Sequence, residues 1–343
     1  MIHLKRILLL GLLLTAACTP VGTASESTPA AIPTAEQTRP APVVEQIAGP
    51  TPSAPTMTAV AALPEPDDDA TPPPITATPA PSATPEPSPT PLGPTTINGV
   101  PLSDIAPLPP ETIANVQDIY ARGQTLGRDP KAFSKLGDST LLNPHFLGPF
   151  DAGDYNLGEW GYLQPSIDRY KGSFARHGVG THPGLHSWTV FDPMWADKKW
   201  CEPGEHALAC EVRLQNPSVL FVRLGSNDSG SPSGFRYNVR QVIEFAIANG
   251  VIPIIGTKAD RFEGSNENNE ILRELAAEYH VPLWDFDLLA ETLPGRGLDK
   301  DNIHLIIDEL PHDFTDPAAF QRGHAMQDLS ALVVLDQIRR VIE

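Results

Sequence analysis

The chain is 343 residues long with a formal net charge of −18, and at about 150 residues per domain the length has room for two units. They are unequal, because residues 19–100 hold 20 of the 38 prolines, one basic residue (Arg39) and eight acidic ones, too little apolar surface to offset the entropy of ordering. Lys5 and Arg6 contribute +2 and the Pro-rich stretch −7, leaving −13 on residues 101–343, an acidic balance that disfavours nucleic acid and anionic headgroups as partners.

In chain order, Lys5 and Arg6 precede an apolar run over residues 7–14 that is too short to span a bilayer, as in a cleavable export signal. Leu14-Thr15-Ala16-Ala17-Cys18 resembles a bacterial lipobox, with Thr15 where that pattern usually has Leu. Residues 1–18 are therefore expected to be a lipoprotein signal peptide, with Cys18 as the lipidated first residue of the mature chain. Acyl chains there would anchor the protein without a transmembrane helix, at about 0.8 kcal/mol per buried methylene. The expected location is the cell envelope or cell surface, with membrane contact through the anchor only. Residues 19–100 read as a disordered Pro/Thr/Ala-rich tether, partly polyproline II, with a reach on the order of 50 Å. Its many Thr and Ser beside Pro suit O-linked sugar by composition alone.

The sole sizeable folded domain is expected over residues 101–343, as a monomer. Cys201 and Cys210 flank a turn-rich stretch and are expected to pair as a disulfide, contributing about 2 to 3 kcal/mol. A metal site using His206 is the alternative, but no further cysteine stands at zinc spacing.

Residues 218–224 (Ser-Val-Leu-Phe-Val-Arg-Leu) read as a strand bounded by turn residues. Val239, Val242, Ile243 and Ile247 recur at helical spacing up to Gly250. Residues 251–255 follow as a strand despite Pro253, which is unusual inside a sheet. Ile271, Leu272, Leu275 and Tyr279 mark a helix, residues 281–286 another strand, and residues 317–342 a final helix. Repeated strand–helix–strand units predict an α/β fold, a mostly parallel sheet covered by helices on both faces. In such sheets ligands bind beyond the carboxyl ends of the strands.

Three motifs fall at such ends. Gly137-Asp138-Ser139 closes an extended run and puts Ser139 on a turn, where its Oγ faces a cleft and its own N–H can meet a developing oxyanion. Gly225-Ser226-Asn227-Asp228 follows the strand at 218–224, and the Asn227 amide is a neutral donor suited to negative charge on a carbonyl oxygen. In Asp301-Asn302-Ile303-His304, residues three apart on a helical turn share a face, so Asp301 can hold one ring nitrogen of His304 and leave the other as a base. Asp299, five residues from His304, sits on a different face. Each motif alone is an ordinary polar turn.

Their order, together, resembles the SGNH hydrolase superfamily (GDSL esterases and lipases) over most of residues 131–343. The resemblance implies a three-layer α/β/α sandwich of SGNH/flavodoxin-like type. It implies Ser139 as nucleophile, His304 as general base and acid, Asp301 as its orienter and Asn227 as oxyanion donor, with Asp228 supporting the site. The family's oxyanion-hole glycine matches either Gly180 or Gly184; Gly184 is preferred because Leu185-His186-Ser187 leads into a helix start, whereas Pro183 soon follows Gly180. The implied activity is carboxylic-ester hydrolysis through an acyl-enzyme, without metal or organic cofactor, on short acyl esters or O-acetylated carbohydrate. The alternative is a non-catalytic polysaccharide-binding lipoprotein that keeps the fold.

Two features depart from a compact family member. Lys135 interrupts the apolar run before Ser139, and residues 141–217 are long. In that insertion His145, Phe146, Phe150, Tyr155, Trp160, Tyr162 and Tyr170 suit a subsidiary core more than direct substrate stacking. His177, His182 and His186 lack carboxylates at helical spacing, so polar or capping roles are favoured over metal ligation.

Overall fold

The structure, a computed structural model, describes residues 93–142, 146–307, 310 and 312–343. The expected signal segment, Cys18, His145 and the expected tether as far as residue 92 lie outside the described residues. Among those described, no helix is long and apolar enough to cross a membrane.

Four parallel strands form the central sheet in the order β1 (Asp129–Gly137), β2 (Pro217–Arg223), β3 (Ile252–Gly256) and β4 (Leu283–Trp284). Gly137 pairs with Arg223, Val222 with Ile255, and Gly256 with Trp284, so the strands end at one edge, where the loops carrying Ser139 and Asn227 emerge from β1 and β2. Every residue of β2 is buried, as expected of a strand covered on both faces. Helix α1 (Pro110–Thr125) precedes β1, α2 (Ala207–Gln215) precedes β2, α3 (Pro232–Ala248) and α4 (Glu267–Glu278) join β2, β3 and β4, and α5 (Gly323–Ile342) ends the chain. Right-handed crossovers put α3 and α4 on one face, where they pack together, while α1 packs against α5. This is a three-layer α/β/α fold.

Local sequence accounts for most of these boundaries. Pro232 starts α3 behind Ser231, whose Oγ accepts the Gly234 N–H at 3.3 Å, and Val239, Val242 and Ile243 are buried from its inner face. Pro253 is tolerated in β3 for a topological reason. Ile255 donates its N–H to the Pro282 carbonyl at 2.9 Å, so the N–H that position 253 lacks would point to the same side, before β4 has begun. The expected strand over residues 281–286 shrinks to Leu283–Trp284, because Asp285 donates its N–H to the Ile105 carbonyl at 2.7 Å and the chain turns into a short helix at Phe286–Ala290. The expected last helix divides into a 3-10 turn at Pro317–Gln321 and α5 proper.

The expected domain start at residue 101 is corrected. Thr96–Ile97 pairs antiparallel with Val100–Pro101 across Asn98 and Gly99, which have φ of 50° and 82°, the signature of a two-residue hairpin loop. Ile97 is completely buried, and the Asn98 amide bonds the Phe320 carbonyl at 2.7 Å and Thr292 Oγ1 at 3.0 Å. The folded body therefore includes residues 93–100.

The insertion builds core. Phe146, Phe150, Trp160 and Tyr170 are buried, and Phe146 packs edge-on to Phe221 and stacked on Trp284 at 5.7 and 5.6 Å. Cys201 and Cys210 form a disulfide with their Cα atoms 5.3 Å apart; their sulfurs are thereby committed to each other, and His206 instead caps α2 by accepting the Ala209 N–H.

Candidate active site

Ser139 follows β1 at the first position of a 3-10 turn, Ser139–Leu141. A Cβ at Gly137 would stand 2.5 Å from the Arg223 carbonyl oxygen and 2.9 Å from Leu141 Cδ1, so only glycine lets the turn fold this close to β2. Asp138 caps it, accepting the Thr140 N–H at 2.8 Å and the Thr140 hydroxyl at 2.6 Å. Burial pushes the Asp138 carboxyl above its ordinary range, against those Thr140 bonds and the charge of Arg223.

His304 Nε2 lies 2.7 Å from Ser139 Oγ, and His304 Nδ1 lies 2.6 Å from Asp301 Oδ2. A carboxylate only accepts, so Nδ1 carries the ring proton and Nε2 is left to accept the Ser139 O–H. The His304 bond holds Asp301 down at about 2, helped by the backbone N–H groups of Ile303 and His304 on its other oxygen. The motif differs from its expected geometry. It is an Asx-type turn rather than a helical one: Asn302 has φ 58°, Asp301 bonds its own downstream backbone, and Leu298 bridges Leu305 to close the loop. Asp299 donates its N–H to the His304 carbonyl at 2.8 Å and turns its carboxylate to Lys300, away from the ring.

Asn227 follows β2 and lies against the serine turn, its Nδ2 donating to Asp138 Oδ2 at 3.1 Å and, more weakly, to the Leu185 carbonyl at 3.3 Å. Beneath it Ser226 donates to buried Asp260 at 2.6 Å, and Asp260 accepts from buried Lys258 at 2.9 Å. Asp228 turns away from Ser139 and accepts from Ser187, from the backbone N–H at 3.1 Å and from the hydroxyl at 2.7 Å. It thus ties the Asn227 loop to the segment carrying Gly184.

That segment runs beside β1, where Thr181 bridges Gly137 in parallel. The two candidate glycines differ in what their N–H groups do. Gly180 donates to buried Glu211 at 2.9 Å and is occupied. Gly184 has φ 73° in the turn closed by the Leu185 N–H on the His182 carbonyl, the type II position that favours glycine after proline. Its N–H, like that of Ser139, makes no hydrogen bond among the described residues.

Arg223 was not legible as a site residue. Buried at the end of β2, it donates to the Thr140 carbonyl at 2.8 Å and to Thr140 Oγ1 at 3.2 Å, and its guanidinium lies 5.6 Å from the Trp284 ring. Burial lowers it to about 10, opposed by Asp138, Asp260 and Asp328. The one signal in sequence was a charge closing an apolar strand. Lys135 likewise stays inside, its Nζ on the Phe146 and Phe174 carbonyls at 3.0 and 2.6 Å, and burial pushes it down to about 7.

A strand-end serine, an asparagine after the next strand and an Asp-x-x-His before the last helix thus stand together on a parallel α/β/α scaffold, the arrangement that the resemblance to SGNH hydrolases implies. No family model matches the chain, and no curated protein matches it. Among solved structures it is similar to a protein assigned to the G-D-S-L lipolytic family from Desulfitobacterium hafniense, at 14% identity and a TM-score of 0.36 over 60% of this chain and 99% of that one. It is also similar to a two-domain esterase active on acetylated mannans, at 12% identity and a TM-score of 0.39, over 66% of this chain and 53% of that one, about half its length.

Proposed function

We propose that this protein is a serine ester hydrolase acting through an acyl-enzyme on short acyl esters, carried at the cell envelope by the lipid on Cys18 and the Pro-rich tether. The observation that carries the reading is the unbroken relay Ser139 Oγ, His304 Nε2, His304 Nδ1, Asp301 Oδ2, with separations of 2.7 and 2.6 Å. A serine hydroxyl is essentially un-ionised near neutral pH and needs a base within hydrogen-bond reach; His304 is that base.

In the first step Ser139 Oγ attacks the ester carbonyl as His304 Nε2 takes its proton. Asp301, ionised far below working pH, steadies the ring as it becomes charged. The oxyanion is received by the free N–H groups of Ser139 and Gly184 and by Asn227, whose longer bond to Leu185 is the one exchanged for it. His304 then gives its proton to the leaving alkoxide. Water attacks the acyl-enzyme by the same route in reverse, releasing acid and serine.

The test is hydrolysis of p-nitrophenyl acetate by the full chain beside its Ser139→Ala variant. Turnover that disappears with Ser139 is expected. Equal turnover by both proteins would overturn the assignment.

A further inference from the structure

The run His177-Gly178-Val179-Gly180 precedes Gly184, and its two glycines close around one side chain. A Cβ at Gly178 would stand 2.5 Å from both carboxylate oxygens of Glu211. A Cβ at Gly180 would stand 2.5 Å from the Lys135 carbonyl oxygen and 3.1 Å from Glu211 Cγ. Glu211 is buried on α2. Its Oε2 accepts the Val179 and Gly180 N–H groups at 2.6 and 2.9 Å, and its Oε1 accepts the Ser134 hydroxyl. The backbone beneath it is held in turn, because the preceding Cys210 is tied to Cys201.

One carboxylate thus joins two elements of the proposed site. Ser134 belongs to β1, the strand that delivers Ser139, and Gly180 opens the segment that carries Gly184. The backbone pairing between them is brief: Gly137 donates to the Gly180 carbonyl and His182 donates to the Gly137 carbonyl, both at 3.1 Å. So short and glycine-rich a pairing specifies its register weakly. The bonds to Glu211 specify it strongly, since any slip would leave a buried carboxylate without its donors. Downstream, the Leu185 N–H closes the Gly184 turn on the His182 carbonyl, and the Leu185 carbonyl meets Asn227.

We propose that Glu211 is a positioning residue for the reaction of Ser139: it sets the register of residues 179–185 against β1, so that the Gly184 N–H meets the oxyanion. The inference rests on the ester-hydrolase reading of Ser139. An oxyanion donor acts over a narrow range of distance, about 2.7–3.1 Å, and a misplacement of about 1 Å can cost 10²-fold in rate. A negative charge near a developing oxyanion is itself unfavourable, so Glu211 contributes reach rather than charge. Glutamine has the same reach: its carbonyl can take the Val179 and Gly180 N–H groups while its amide donates to Ser134 Oγ. Aspartate keeps the charge and is one methylene too short to hold both elements.

The experiment assays the full chain and its Glu211→Gln, Glu211→Asp and Gly184→Ala variants on p-nitrophenyl acetate, with rates divided by the Ser139 that diethyl p-nitrophenyl phosphate labels at completion. Glu211→Gln is expected to stay within threefold of the parent. Glu211→Asp should lower kcat about 10²-fold with KM within threefold, and backbone amides of residues 179–185 should exchange with deuterium at least tenfold faster. Gly184→Ala, strained at φ 73°, displaces the same donor, so combining it with Glu211→Asp should cost no more than the slower single variant. Ser134→Ala, which unties Oε1 from β1, should show the same pattern at about tenfold and carries the test if Glu211→Asp does not fold. A loss in Glu211→Gln as large as in Glu211→Asp, losses that multiply in the double variant, or a parental rate per labelled serine in Glu211→Asp or Ser134→Ala would overturn the role. Failure of the ester reading is distinct: no Ser139-dependent turnover by the parent, with the faster exchange over residues 179–185 still seen.

Discussion

Asp301 uses its two oxygens separately, Oδ1 on the Ile303 and His304 backbone and Oδ2 on the His304 ring. The residue that orients the imidazole therefore also shapes the turn that carries it. Asp301→Asn should keep the backbone cap through its carbonyl while presenting an amide to Nδ1. The ring would then be forced into the tautomer protonated at Nε2, unable to accept from Ser139. The expected outcome is a fall in kcat of about 10³–10⁴ with little change in KM and an unaltered fold, as for a wrong-tautomer variant; a loss under tenfold would mean that Asp301 only shapes the loop. At this scale Ser139, Asn227, Asp301 and His304 were legible because each stands in a short local pattern. Asp138, Arg223 and Ser187 were not, because their roles arise from partners 89, 83 and 41 residues away.

The elements with long apolar periods, α3, α4 and β2, stand where the sequence places them, β2 within one residue at each end, while α3 starts at Pro232, seven residues before the first residue of its apolar repeat. Those that differ were decided by tertiary partners: β4 is cut short by the Asp285 bond to Ile105, and Asp301–His304 is a turn because the aspartate competes for backbone N–H groups. The hairpin at 96–101 carried a sequence signal, Ile-Asn-Gly-Val, that the surrounding proline-rich composition masked. Its importance can be measured. Ile97 is fully buried, so Ile97→Ala should lower the free energy of unfolding in urea by about 2–5 kcal/mol. An unchanged midpoint would assign residues 93–100 to the tether after all.

Across the whole molecule, the buried basic side chains among the described residues include Lys135, Arg223, Lys258 and Arg339. Lys135 gives stability a definite pH dependence. Folded, its amine titrates near about 7, and unfolded near 10.5; between these values only the unfolded chain holds the proton, so stability rises with pH. Tyr162, Tyr170 and Tyr279, raised from 10.0 to about 12, and Arg223, lowered from 12.5 to about 10, act mainly from about pH 10 upward. Lys135→Met should flatten the slope of unfolding free energy between pH 7 and pH 10; a slope identical to that of the parent would show that the amine stays charged when folded.

The central claim is that Ser139 is a nucleophile made reactive by His304. It is tested most directly by treating the full chain with diethyl p-nitrophenyl phosphate and mapping the adduct by peptide mass. One diethylphosphoryl group on Ser139, absent from Ser139→Ala and formed far more slowly in His304→Ala, is the predicted result. An unlabelled chain, or labelling of Ser139 at the same rate without His304, would contradict it.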